Sequence, residues 1–142
     1  MFTETNFMKT NYLLEKALDA ESVRRRVISD NIANVDVPHF KRREVNFESE
    51  LKRIIRENEG DAVRYPGSRT HEKHIPFYEQ RELSGAGIRI NHDYNTSMRN
   101  DGNNVDIEKE MVDGSKNLMR YNSFVAGLNH NFKMLKSVMR SV

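Results

Sequence analysis

The chain has 142 residues, a formal net charge of +2, 31% charged and 37% apolar residues, and no cysteine. One domain fits that length. The missing cysteine excludes a disulfide scaffold, a thiol nucleophile and a thiolate metal site, and so small a net charge gives no global drive toward nucleic acid. No run of about 18 apolar residues could span a bilayer, and the N-terminus lacks a basic segment followed by an apolar one. Export from the cytoplasm, if it occurs, is therefore expected to need no cleaved signal peptide.

Residues from about Asn6 to Asn34 read as one helix. Leu13, Ala17, Ala20, Val23 and Val27 follow steps of three and four. Leu14, Leu18, Ile28 and Ile32 form a neighbouring stripe, with Phe7 one heptad before Leu14, and together they give a wide apolar face. Glu21 and Arg25 stand at the spacing of a surface ion pair. The helix should stop near Asn34, because Asn34-Val35-Asp36-Val37-Pro38 holds poor helix formers and Pro38 pushes Val37 out of the helical region. After a turn at Pro38-His39, a second, shorter helix is expected over Val45 to Ile55, with Asn46 or Ser49 near its start.

From Asn58 to Asn104 the chain is rich in glycine and turn residues and sparse in large apolar ones, the composition of a segment that is partly flexible in the free monomer. Ile75-Pro76-Phe77-Tyr78 and Ile88-Arg89-Ile90 are its short strand candidates, placed to pair as a small hairpin. Asp106 then makes an N-cap for a long terminal helix, with Glu108 and Glu110 where the helix dipole favours negative charge.

That last helix carries a strict heptad seam: Ile107, Met111, Gly114, Leu118, Tyr121, Val125, Leu128, Phe132, Leu135, Met139 and Val142. At 1.5 Å per residue it would be roughly 50 Å long, more than so small a chain can cover with its own core. Asn117, Asn122, Asn129 and Asn131 flank the seam where a free zipper usually carries charge, which points to flanks that also touch protein. Gly114 on the seam permits close helix approach. The expected fold is mainly α. Long N- and C-terminal helices (1–36 and 105–142) pair as a coiled-coil-like domain, and 37–104 supplies a loop, a short helix and a turn-rich middle with at most a small β-hairpin.

Chemistry finds little support. His71 and His74 are three apart, not the four of the zinc motif, so solvated histidines are the plainer reading and no metal or cofactor is expected. A calcium loop with Gly102 at its sixth position would put Arg99 among the ligands. The clusters Arg24-Arg25-Arg26 and Lys41-Arg42-Arg43 have Glu21, Glu44, Glu48 and Glu50 nearby, so solvated faces or intersubunit ion pairs are favoured over nucleic acid.

Two segments resemble the bacterial flagellar rod and hook protein family. Asp30-Asn31-Ile32-Ala33-Asn34-Val35-Asp36-Val37-Pro38-His39-Phe40-Lys41 is similar to that family's N-terminal signature, roughly Asn-Asn-Ile-Ala-Asn-x-x-Thr-Pro-Gly-Tyr-Lys, with His39 standing where the signature has glycine. Asp101-Gly102-Asn103-Asn104-Val105-Asp106-Ile107-Glu108-Lys109-Glu110-Met111 resembles the signature of the proximal rod branch, as do Lys116-Asn117, Arg120-Tyr121 and Phe132-Lys133-Met134-Leu135-Lys136. The resemblance implies a non-enzymatic structural subunit of the basal body that self-assembles helically in a periplasmic rod. It implies export through the flagellar type III apparatus, and partners among the other rod proteins, the rod-to-ring adaptor and the export gate. On this reading Leu118, Val125, Leu128, Phe132 and Leu135 meet Leu14, Leu18, Ile28 and Ile32. Asn31, Asn34 and Asp36 fix the exit from the first helix, and Asn103, Asn104 and Asp106 fix the start of the last. The competing reading is a generic helical adaptor that binds a partner's helix; a metal enzyme on His71 and His74 stands behind both.

Overall fold

The computed structural model describes residues 6–59, 71, 73 and 87–140, and among them the chain is mainly helical. The elements are α1 (Asn6–Ala33), β1 (Arg43–Asn46), α2 (Glu48–Glu59), β2 (Arg89–His92) and α3 (Ile107–Arg140). They form two compact units, Met1–Val45 with Ile90–Val142, and Asn46–Arg89. The strand candidate at 75–78, His74, the seam's last residue Val142 and most of the expected flexible middle lie outside the described residues.

In the first unit α1 and α3 pack as an antiparallel pair. A β-carbon on Gly127 would sit 3.7 Å from Leu14, and one on Gly114 would sit 3.7 Å from Ile28, so the two helices approach closely at both glycines. The apolar core of this unit is small: Ala20, Val27 and Ile28 from α1, Val45 from β1, and Val105 just before α3. Full burial of such a side chain is worth about 1.5–3 kcal/mol, so a handful of them leaves much of the specification to polar groups.

Helix ends follow local chemistry. Past Ala33 the Asn34 amide still reaches the Asp30 carbonyl at 3.2 Å, and the Asn34 side chain donates to the same oxygen at 2.6 Å. The chain then unwinds through Val35 to Ile32 and Val37 to Asn34, and Pro38 ends it. At the other side of the loop, Asp106 Oδ1 accepts from the amides of Glu108 (3.0 Å) and Lys109 (3.3 Å), the N-cap of α3.

One expectation needs correction. The segment Arg43–Asn46 is a strand, and α2 starts at Glu48 rather than Val45, with the Leu51 amide bonded to the Phe47 carbonyl at 2.9 Å. Among the described residues β2 pairs with β1. Four residues of which only Val45 is buried carry no alternation from which a strand could be read. Within the second unit, Phe47 and Ile54 are buried, and Glu50 takes Arg53 at 2.7 Å and Arg89 at 3.6 Å.

Candidate functional site: the joint and the exposed seam

The segments that carry the family resemblance, 30–41 and 101–106, meet in space and satisfy each other's backbone. Asn31, in the last turn of α1, is wholly buried. Its Nδ2 donates to the Arg43 carbonyl (2.9 Å) and its Oδ1 accepts from the Arg43 amide (3.0 Å), so the side chain pairs with β1 as a strand residue would. The same Nδ2 donates to Glu110 Oε2 at 3.2 Å. Glu110 is equally buried, and its other oxygen accepts from Arg42 Nε at 2.5 Å. Arg42 also pairs with Glu44 and lies 3.5 Å from Asp113. A buried carboxylate is tolerated only when its charge is matched and its lone pairs are used, and Glu110 has both.

Asn103 is the second staple. Its Nδ2 donates to the carbonyls of Asn34 (3.1 Å), Val35 (2.9 Å) and Val37 (2.9 Å), and its Oδ1 accepts from the Val105 amide (2.8 Å). One side chain therefore closes the end of α1 and shapes the approach to α3. Beside it, Asn104 Oδ1 accepts from the Arg42 amide at 2.6 Å, while its Nδ2 donates to the Asp93 carbonyl (2.8 Å) and to the Thr96 hydroxyl (3.0 Å). Lys41 Nζ donates to the carbonyls of Gly102 (2.9 Å) and Thr96 (3.1 Å). Lys41 and Arg42 are thus engaged within the chain, which corrects their reading as a solvated or intersubunit face, while Arg43 stays partly exposed 3.9 Å from Asp30. Asp36 also departs from its expected backbone role: it faces Arg99 at 3.2 Å.

The turn between these segments is strained at one residue. His39 has φ +59°, the left-handed region that side chains rarely adopt, at the position where the family signature has glycine. Its amide donates to the Asp101 carbonyl at 3.0 Å. Gly102 has φ +78°, and a β-carbon there would fall 2.8 Å from His39 Nδ1. Nearby, the Thr96 hydroxyl donates to Asp93 Oδ2 at 2.6 Å and holds that carboxyl below its ordinary range, helped by the amides of Asn95 and Thr96 and opposed by burial.

The heptad seam is phased differently from the face that touches α1. Among the described residues of α3 the fully buried ones are Glu110 and Asn117, both polar. Asn117 Nδ2 donates to the Glu21 carbonyl (2.9 Å) and to the Glu21 carboxylate, while Glu21 also holds Arg24 at 2.5 Å, not the expected Arg25. Further along, Asn131 donates to Asn11 at 2.7 Å. Gly127, which is not a seam residue, lies on the contact. On α1, Ile28 is buried and Leu14, Leu18 and Ile32 are half-buried; on α3, Val125 and Leu128 are half-buried. Met111 (63% exposed), Leu118 (50%), Phe132 (59%), Leu135 (39%) and Met139 (72%) face solvent in the single chain. The face between the helices is rotated toward the asparagines, and most of the large apolar side chains are left outside.

The family described as Flagella basal body rod protein matches residues 12–41, from the body of α1 to Lys41. The chain is 38% identical to the flagellar basal body rod protein FlgB of Borrelia hermsii, over 90% of this chain and 93% of that one. It is 37% identical to the protein of that name in Borreliella burgdorferi (87% and 90% covered) and 31% identical to that of Bacillus subtilis (94% and 95%). The chain belongs to the flagellar basal body rod protein family. It is a structural subunit of the bacterial flagellar basal body, and it works by assembling with other rod components. Among the described residues no helix is long and apolar enough to cross a membrane.

Proposed function

We propose that the chain forms the proximal end of the rod, joins it to the adaptor and export-gate components inside the membrane ring, and reaches a periplasmic rod by flagellar type III export without signal cleavage. The observation that carries this reading is the exposed apolar seam of α3. Met111, Leu118, Phe132, Leu135 and Met139 lie open along a helix whose other face is already taken by α1. An apolar strip of that kind marks an interaction surface. The similarity to FlgB proteins over about nine-tenths of both chains favours this branch of the family.

In this reading residues 1–36 and 105–142 act as the helical domain of the rod, and 37–104 as its connecting segment. Leu14, Leu18, Ile28, Ile32, Val125 and Leu128 hold the pair together, while Leu118, Phe132 and Leu135 pack on neighbouring subunits. The signature residues Asn31, Ile32, Ala33, Asn34, Pro38 and Lys41 and the run Asp101 to Asp106 keep the joint in shape, and Met111 extends the outer strip. The work is packing, with no catalytic step, cofactor or nucleic acid.

The test is deletion of the gene in its source organism, with the motor imaged by electron cryotomography. A membrane ring without rod, hook or filament, restored by the wild-type copy, is expected; a complete rod and filament in the deletion strain would refute the proposal.

A further inference from the structure

We propose that the polar pairs between α1 and α3 act as a vernier that selects one register of the terminal hairpin, with Glu21 and Asn117 as its specificity-determining residues. The pairs are Asn11 with Asn131, Glu21 with Asn117, and Asn31 with Glu110. On α3 the polar members share one heptad position, 110, 117 and 131, with Phe124 at the place between. On α1 the members stand ten residues apart, at 11, 21 and 31. Repeats of seven and ten coincide over the full set in a single alignment.

The apolar contacts discriminate at the two glycines, where a slip of one heptad brings Tyr121 or Ile107 to the place of Gly114 and Met134 or Arg120 to that of Gly127. Elsewhere along the pair they are non-directional. The polar pairs do discriminate. A slip in one direction sets Glu21 opposite Phe124 and Asn11 opposite Val138, so the buried Glu21 keeps only Arg24 of its own helix and Asn11 loses its amide partner. A slip in the other sets Glu21 opposite Glu110, two carboxylates in buried surroundings. In the observed register Glu21 is 3% exposed and Asn117 3% exposed, so neither can fall back on water.

Register matters for a subunit because it fixes which α1 residues lie beside each position of the exposed seam. Every copy in a helical assembly must present the same composite face. This consequence rests on the rod reading above; the selection of register does not.

The chain has no cysteine, which makes it a clean background for crosslinking. Leu14→Cys with Gly127→Cys reports the observed register, Leu14→Cys with Met134→Cys reports the slip one way, and Phe7→Cys with Gly127→Cys the slip the other way. The purified full chain is oxidised at low concentration, intramolecular products are separated on gels, and helix content is followed by circular dichroism. With native polar pairs the 14–127 product is expected to dominate. Replacing Glu21 and Asn117 together by Leu should keep the helices while the slipped products rise roughly tenfold, because the pair that penalises them is gone.

Slipped products that stay at the native level in a helical Glu21→Leu/Asn117→Leu variant overturn the proposal. So does the absence of the 14–127 product in the native polar background. If that variant fails to fold, the partly exposed pair is replaced instead (Asn11→Leu with Asn131→Leu), with the same rise expected and the same null result decisive. Swimming of a deletion strain carrying the cysteine-free wild-type chain is scored separately, so that loss of the rod reading is not mistaken for loss of the register claim.

Discussion

Replacing Asn103 by Ala should be among the most damaging single changes in the joint, although it removes only four heavy-atom contacts of one small side chain. Asn103 is 0% exposed. Its two amide protons serve three carbonyls at 2.9–3.1 Å, and its oxygen serves the buried Val105 amide at 2.8 Å. A net hydrogen bond is worth about 1 kcal/mol, and a buried donor left without a partner costs about 1–3 kcal/mol. The three carbonyls are only partly buried and can regain some hydration, so they contribute the lower figure. The sum is a loss of about 3–4 kcal/mol, read as a fall in the urea midpoint of the purified chain at unchanged slope. Asn103→Asp sharpens the reasoning. It keeps the size and the acceptor for Val105 but turns a second oxygen toward three carbonyls, so it should be at least as destabilising as Ala. An Asp variant close to wild type, or an Ala variant that loses less than about 1 kcal/mol, would show that the amide is not the staple described here.

Further outcomes follow from the same geometry. His39→Gly should raise stability by about 1 kcal/mol in the same assay, since a left-handed φ of +59° is unfavourable for a side chain that makes little buried contact. Gly102→Ala should lower stability by about 1–2 kcal/mol, and by less in the His39→Gly background, where the imidazole 2.8 Å from the new β-carbon is gone; purely additive effects would contradict the clash. Asp93 has a folded pKa held below the usual carboxylate range, so whatever stability it lends is present above its unfolded pKa and lost as pH falls through the folded one. Thr96→Val removes the hydroxyl that is the largest cause, and an NMR titration of the Asp93 carboxyl should move upward; an unchanged titration would exclude that hydrogen bond as the cause. Leu118→Asp should change chain stability by no more than about 0.5 kcal/mol, because the side chain is half exposed, yet abolish rod assembly and swimming. Normal swimming with that variant as sole copy would remove Leu118 from the assembly surface.

The two long helices were legible because period and punctuation agree over many residues. The run to Asn34 and Pro38 ends α1 within a residue of the observed Ala33, and Asp106 caps α3 where its side chain suggests. β1 was not legible: Arg43-Glu44-Val45-Asn46 has one buried residue, and its partner lies more than forty positions away. The phase of the helix pair was misread for a physical reason. Heptad reading follows large apolar side chains, whereas Glu110 and Asn117 are buried and Met111 and Leu118 are not. What could have found the true face was the seven-residue spacing of 110, 117, 124 and 131 together with the polar residues at 11, 21 and 31. A polar residue at a buried helix position reads as surface until its partner is known.

That inversion separates two tasks within one pair of helices. Hydrogen bonds are directional and lose strength when their geometry is off, so side-chain amides suit a joint that must close one way: Asn31, Asn103 and Asn104 bind backbone groups of the opposite segment. Apolar contact tolerates small shifts and gains with every neighbour added, so it suits a surface that must meet several copies along a lattice. A chain that buried its large apolar seam against itself would be more stable alone and would have less to offer a neighbour. Here the fully buried positions of α3 go to Glu110 and Asn117, and Leu118, Phe132 and Met139 remain available to other subunits. Substitutions in the joint should therefore lower the stability of the single chain, while substitutions on the outer strip should spare it and stop assembly. The two classes can be told apart with one urea titration and one swimming assay.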